Sequence, residues 1–277
     1  MFSCKNTNLP LVSILMCTYN AGRFVKTTLK SLLNQEYKNT EILVLDNNSS
    51  DNTLSILNNI ANNHPEMRVF SSSKNLGPYG GLNFLLNKAQ GEYIAIVDHD
   101  DIYHPKKIKK QINFLIKNEQ YIGCGTSLYK YFEKDKTFKY NKIKAIGSFA
   151  SHPSLIFRNN KRLKYNTTIK YKTDTHFMKY VLCDKKPLIA NLREPLFLKR
   201  IRLNDANLSY FLNERLTYDD IFDYHRNTGD TMMLVKLLLK KHLNYNALKK
   251  ITNLRGRKAI SDFNHDDFFR SYLQYLK

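Results

Sequence analysis

Three groups of aspartates stand out by their spacing: Asp46-Asn-Asn-Ser-Ser-Asp51, Asp98-His-Asp-Asp101 and the isolated Asp174. Carboxylates crowded as in Asp98-His-Asp-Asp101 repel one another at neutral pH, and a divalent cation relieves that repulsion while holding phosphate oxygens. A helix N-terminus is the competing explanation, since acids are favoured there and Pro105 opens a helical pattern shortly afterwards. One cap accounts for one aspartate and not for three. Close by, Lys74-Asn-Leu-Gly-Pro-Tyr-Gly-Gly81 gathers Gly77, Gly80 and Gly81, with Gly91 a little further on. Such a loop can bring backbone N–H groups up to a phosphate ahead of a helix over residues 82–89. It is neither a Walker loop nor a dinucleotide-binding fingerprint, and a plain strand-to-helix turn has the same composition.

The elements that would carry these clusters follow from the apolar pattern. Short apolar runs over residues 11–17, 41–45 and 93–97 predict buried strands, with a further, shorter strand over 67–71. Helical spacing over 25–33, 54–60 and from Pro105 through Ile108, Ile112, Leu115 and Ile116 predicts the helices between them, with Ser50 or Asp51 capping the second. Each polar cluster falls just after a strand, which argues for a mostly parallel α/β sheet flanked by helices, with its site at the strands' carboxyl ends. Residues 121–203 switch to shorter mixed segments rich in Tyr, Phe and Lys, expected to form a partly β, substrate-facing region of the same sheet. The stretches 232–243 and 245–254 are helical in pattern and predict a C-terminal appendage from about residue 205.

The 277 residues, 42% hydrophobic and 25% charged, suit one large domain with a small appendage and exclude a disordered tail or a fibre. The apolar stretch 9–17 is too short to span a bilayer and lacks a basic leader, so neither a membrane span nor a secreted precursor is expected. Cys4, Cys17, Cys124 and Cys183 lack the paired spacing of zinc or thioredoxin-like sites and read as reduced thiols of a cytoplasmic protein. The net charge of +20 is unevenly spread: residues 1–100 hold 8 basic and 8 acidic side chains, 101–200 hold 23 and 7, and 201–277 hold 13 and 9. A basic surface attracts nucleic acid, anionic lipid or phosphorylated substrate through the same field, and an unpartnered lysine surface is the plain alternative.

Taken in order, Val12-Ser-Ile-Leu-Met-Cys-Thr-Tyr-Asn20, Ser31-Leu-Leu-Asn-Gln35, Glu41-Ile-Leu-Val-Leu-Asp-Asn-Asn-Ser-Ser-Asp51, Asn75-Leu-Gly77, Gly91-Glu-Tyr-Ile94 and Asp98-His-Asp-Asp101 resemble the family 2 glycosyltransferases, inverting enzymes with the GT-A fold. The match spans roughly the first 120 residues and continues faintly to about residue 209. The resemblance implies a nucleotide-sugar-binding α/β half over 1–120, an acceptor and catalytic-base region over 121–204, and the helical appendage over 205–277. It places the base and ribose of the donor at Thr18, Tyr19 and Asn20 and at Asp46 and Asn47, with Asn75 and Gly77 from the glycine loop. Asp98 would face the ribose and, with Asp100, hold Mn²⁺ or Mg²⁺, while Asp101 would orient the loop or cap the next helix. Asp174, in Tyr171-Lys-Thr-Asp-Thr-His-Phe177, would be the general base, although a helix cap explains it equally well. His152 would line the acceptor side, and Lys199-Arg200-Ile-Arg202 would bring Arg200 and Arg202 to the diphosphate.

The chain also departs from the family. Leu82 stands before Asn83 where an Arg is common, and Asn47 takes the place of a second acid. The absence of tryptophan and of a membrane helix removes the signature of processive polymerising members, so a single sugar, or a few, would be added. The expected partners are a nucleotide-sugar donor, UDP by preference, and a glycan or lipid-linked glycan acceptor of the cell envelope, with peripheral contact to an anionic membrane through the 232–243 helix. No nucleic acid is expected, because that reading leaves the acidic clusters unexplained. An inactive scaffold of the same family and a basic nucleic-acid-binding protein are the remaining alternatives.

Overall fold

The computed structural model describes residues 9–169 and 172–202, together with 225, 226, 228, 229, 258, 259 and 268. The first hundred residues alternate strand and helix: β1 (Val12–Thr18), α1 (Val25–Leu33), β2 (Thr40–Asp46), α2 (Thr53–Ala61), β3 (Met67–Ser71), α3 (Gly77–Lys88) and β4 (Tyr93–Val97). These strands run parallel in the order β3-β2-β1-β4, with Val12 facing both Thr40 and Tyr93 across the sheet. Along β1, Val12, Ile14 and Met16 enter one core and Leu15 the other. β2 divides Ile42 and Val44 from Leu43 and Leu45, and β4 divides Ala95 and Val97 from Ile94 and Ile96. A strand covered on both faces needs apolar residues at every position, which is why these segments form unbroken runs.

The helices close the two cores. Val25, Leu29 and Leu32 of α1 join Ile108, Ile112 and Leu115 of α4 (Lys107–Lys117) on one face, and Leu82, Leu85 and Leu86 of α3 pack on the other. Each such side chain contributes about 2 kcal/mol over leaving it in water. The N-cap of α2 is Asn52 rather than Ser50 or Asp51, but the Asp51 carboxylate accepts the Thr53 N–H at 3.0 Å and so satisfies a first-turn donor.

Beyond β4 the sheet becomes mixed. β9 (Ile156–Arg158) lies antiparallel to β4, and β6 (Gly123–Phe132) lies antiparallel to both β9 and β7 (Thr137–Asn141). The 13-residue β10 (Ile189–Ile201) runs parallel to β6 and antiparallel to two short strands, β5 (Ile102–Tyr103) and β8 (Ile146–Gly147). Its register against β6 shifts on either side of Pro195, a residue with no N–H to give to a ladder. A further two-residue strand, β11 (Lys258–Ala259), pairs with β7. The parallel character expected of the sheet therefore belongs to its first four strands and to the β6–β10 pair.

Two helices differ from expectation. α3 begins at Gly77 rather than at 82, with Pro78 in the first turn, where its missing N–H costs nothing. Gly80 and Gly81 thus lie inside a helix, and Gly81 is there for proximity: a Cβ would meet Cys17 Sγ at 2.3 Å. The helix that Asp174 was expected to cap begins earlier, at Thr173, as α5 (Thr173–His176) and continues as a π-helical turn over Phe177–Leu182. The appendage with its expected helices at 232–243 and 245–254 lies outside the described residues. Among the described residues Cys17, Cys124 and Cys183 are free thiols, and no helix is long and apolar enough to cross a membrane.

Candidate active site

At the carboxyl ends of β1 and β2, most of the expected donor-site residues spend their hydrogen bonds on one another. Thr18 is fully buried, its hydroxyl donating to the Leu45 carbonyl at 3.1 Å and its own carbonyl accepting the Asn47 N–H. Asn47 donates to Asn75 Oδ1 at 3.0 Å and to the Gly77 carbonyl at 3.1 Å, and accepts the Leu76 N–H at 2.9 Å. Asn75 Oδ1 also accepts the Gly77 N–H at 2.8 Å, and Gly77 takes a left-handed φ of 71° that a side chain would resist. Asn20 joins the loops by accepting the Ser50 N–H and giving its own N–H to Ser49. These residues shape the turn. Tyr19 projects outward, and Asp46 is the group left with capacity: Oδ2 accepts the Ser49 N–H at 3.2 Å, while the buried Oδ1 has no partner. Leaving such an oxygen unsatisfied costs about 1–3 kcal/mol, which a ligand N–H or O–H would recover.

The acidic turn after β4 is held by main-chain bonds. Tyr103 OH accepts the Asp98 N–H at 2.7 Å and lies 3.3 Å from the Asp98 carbonyl, fixing the residue while its carboxylate stays 40% exposed. Asp101 is fully buried and accepts the Arg200 N–H at 3.0 Å. Burial, with Asp100 adding to it, holds the Asp101 carboxyl well above the usual carboxylate range. Its place is that of a loop-orienting residue; the helix-cap alternative fails because α4 has Lys106 at its N-cap.

The basic segment at the end of β10 meets this turn. Lys199 Nζ lies 3.6 Å from Asp98 Oδ2, and Arg202 Nε lies 3.2 Å from Asp100 Oδ2. Burial works against the charge on Lys199, but Asp98, Asp101, Asp100 and Asp174 together keep its pKa above the ordinary lysine value. Arg200, expected at the diphosphate, turns inward instead. It is 4% exposed, faces Glu133 at 3.4 Å, donates to the Asp100 carbonyl and stacks over the Phe24 ring at 4.9 Å. Alternation along a strand separates Lys199 from Arg200, while Arg202, just past the end of β10, shares the Phe24 ring with Arg200 at 4.8 Å.

The residues expected on the acceptor side complete the cluster. His152 Nε2 lies 2.8 Å from Tyr165 OH, and the Tyr165 ring stacks on Phe177 at 4.0 Å and beside Tyr79 at 5.3 Å. Burial, then Tyr79 and Asp174, push the Tyr165 hydroxyl far above its ordinary pKa, so it keeps its proton and donates to the histidine. Burial lowers the His152 pKa against the pull of Asp174 and Asp98, leaving a neutral ring. Asp174 sits in the first turn of α5, inside the helix rather than at its cap, which is Lys172 in a left-handed conformation. Its Oδ1 accepts the Thr175 N–H at 2.7 Å. Burial, then Asp174 and Asp98, raise the Tyr79 hydroxyl as well. Asp98, His152, Asp174 and Lys199, from four elements far apart in sequence, thus lie within electrostatic reach of one another.

Tyr79, Tyr165 and Tyr103 enter this site without having been singled out beforehand. Tyr79 lies inside the glycine segment, a weak signal; Tyr165 carries none. Asn83 is a further supporting residue, holding the Tyr165 backbone by donating to its carbonyl at 2.9 Å and accepting its N–H at 2.8 Å.

The glycosyl transferase family 2 model matches residues 13–184, more than half of the chain and all of this constellation up to Asp174. The chain belongs to that family. A family 2 relative, the UDP-Glc:alpha-D-GlcNAc-diphosphoundecaprenol beta-1,3-glucosyltransferase WfaP of Escherichia coli, is 30% identical over 207 residues, 72% of this chain and 75% of its own. An uncharacterized glycosyltransferase of Haemophilus influenzae is 40% identical over 118 residues, 43% of this chain. The chain spans about half the length, 47% and 40%, of the two Haemophilus relatives it matches. The GT-A fold is shared with Staphylococcus aureus TarS 1-349 in complex with UDP-GlcNAc, at TM-score 0.60 and 19% identity, over 83% of this chain and 72% of that one. It is shared also with the mannosyltransferase PcManGT of Pyrobaculum calidifontis in complex with GDP-Man and Mn²⁺, at TM-score 0.61 and 15% identity, over 98% and 86%.

Among the described residues no group of three or more His, Cys, Asp or Glu side chains could enclose a metal ion. Asp98 and Asp100 fit a cation of a different kind. Mg²⁺ and Mn²⁺ are commonly held by one or two carboxylates, with substrate phosphates and water completing the shell, and the Asp98 carboxylate is open enough to take part.

Proposed function

We propose that this family 2 glycosyltransferase transfers a single sugar from a nucleotide-sugar donor, preferably a UDP-sugar, to a lipid-linked or other glycan acceptor of the cell envelope, with inversion at the anomeric carbon. The observation that carries the reading is the convergence of Asp98, Lys199, His152 and Asp174 at one corner of the sheet. The donor class is supported by UDP-GlcNAc in the TarS complex, and the acceptor class by the substrate in the name of WfaP.

In this reading Asp46 Oδ1 accepts a hydrogen bond from the base or ribose and Tyr19 covers the base. Asp98 and Asp100 hold Mn²⁺ or Mg²⁺, which when bound supplies positive charge to the leaving diphosphate. Lys199 adds its own charge to the same leaving group, and Arg202 holds Asp100 in place. Asp174 takes the acceptor hydroxyl proton on Oδ2, Oδ1 being engaged by Thr175. The acceptor oxygen then bonds to the anomeric carbon as the bond to the diphosphate breaks, and the diphosphate leaves with the electron pair. His152, neutral and oriented by Tyr165, donates from Nδ1 to the sugars on that side.

Calorimetric titration with UDP, GDP and dTDP, each with and without Mn²⁺, tests the donor site. Mn²⁺-dependent binding of UDP that disappears in Asp100→Ala is expected. No binding of any of the three nucleotides would overturn the reading of an active transferase.

A further inference from the structure

The donor and acceptor sites leave most of the positive charge of residues 101–200 unused, and the structure concentrates part of it beside an apolar surface. Of six large hydrophobic side chains that are exposed among the described residues, three fall within one short stretch: Tyr140 at 44%, Ile146 at 47% and Phe149 at 48%. Lys142 and Lys144 lie between Tyr140 and Ile146 in sequence, and both are exposed. Neither forms an ion pair among the described residues, in contrast with Lys109 and Lys110, which face Glu36 and Glu194. Tyr140 OH donates to the Arg193 carbonyl at 2.9 Å, bringing another exposed cation to the same edge.

This stretch is held in place. The buried Asn191 of β10 gives its side-chain N–H₂ to the Lys144 carbonyl at 2.9 Å and to the Phe149 carbonyl at 3.0 Å, while its backbone N–H donates to Ala145 at 2.6 Å. β8, between those two carbonyls, is paired to β10 through Ile146↔Ala190 and Gly147↔Ile189. One asparagine therefore pins both ends of a segment that presents Ile146 and Phe149 to solvent. Apolar side chains kept out of the core on a fixed backbone and flanked by unneutralised lysines match the two phases of a bilayer surface, an acyl boundary beneath a layer of negative headgroups.

We infer that the face formed by Tyr140, Lys142, Lys144, Ile146 and Phe149 docks on an anionic phospholipid membrane. Phe149 and Ile146 enter the headgroup boundary while the lysines and Arg193 lie among the phosphates. Phe149 is three residues from His152, so docking would set the acceptor side of the site against the lipid surface. The inference rests on the transferase reading only in that last respect; the surface itself is argued from exposure and charge.

The test is co-sedimentation of the full chain with vesicles of equal parts phosphatidylcholine and phosphatidylglycerol, against pure phosphatidylcholine vesicles. Binding to the anionic vesicles alone is expected, with each of Lys142→Gln and Lys144→Gln weakening it about fivefold. Phe149→Ser is expected to weaken it about tenfold through lost apolar burial. Melting temperature and UDP affinity serve as controls, and both should be unchanged because these side chains are exposed. Equal binding to both vesicle types, or variants that sediment like the parent, would overturn the inference. So would loss of binding to a single-stranded oligonucleotide in the lysine variants without any vesicle binding, which would assign the patch to nucleic acid. UDP binding without vesicle binding would sink this inference alone, and vesicle binding without UDP binding would sink the transferase reading alone.

Discussion

On the proposed reading Asp174 gives one oxygen to its own helix and the other to the acceptor hydroxyl, so Asp174→Asn would keep the Thr175 hydrogen bond and remove the proposed base. Turnover should fall about 10²- to 10⁴-fold with UDP affinity unchanged, and a parallel loss of UDP affinity would instead mark a structural role. Tyr165→Phe should leave UDP affinity intact while lowering kcat/KM for the acceptor about tenfold, as expected when a half-buried histidine loses its partner. Asp98, His152 and Asp174 can be singled out as candidates from sequence because each lies in a short polar motif at an element end. Tyr165 cannot, since its place depends on Asn83, a contact across 82 positions of chain. Arg200 is buried against Phe24 and Glu133 for a reason no motif carries: a run of basic residues does not say which of them the fold covers.

At the scale of elements, α3 shows how composition can suggest the wrong device. Four glycines in a short stretch resemble a phosphate-cradling loop, yet two of them lie inside a helix pressed against β1 and β2. Gly81→Val should therefore cost about 1–3 kcal/mol of stability in urea unfolding, because Cys17 and Leu45 cannot both retreat. An unchanged midpoint would show that the helix can lift off the sheet. The parallel strands were legible because burial on both faces leaves an unbroken apolar run. β6 and β7 were not, for they mix Tyr, Lys and Phe, nor was β10, whose register on the mixed sheet shifts around Pro195.

For the whole molecule, two histidines give stability a pH dependence of one sign. Burial lowers the pKa values of His152 and His176 in the folded state, so below about pH 6.5 the unfolded chain takes up protons first and stability falls. Melting temperature should decline from pH 7 towards pH 5, and His152→Gln should flatten part of that decline; an identical slope in the variant would remove His152 as a source. The charge distribution was visible in the sequence, but its organisation was not, since only the folded chain separates lysines that meet acids from those that stand beside Ile146 and Phe149.

Asp101 receives the Arg200 N–H from 99 residues further along the chain. During synthesis the acidic turn is therefore made long before the strand that neutralises it, and a nascent chain can assemble β1 to β4 while three neighbouring carboxylates await their counter-charges. Translation must pass β10 before this corner acquires its final electrostatics, after most of the sheet exists.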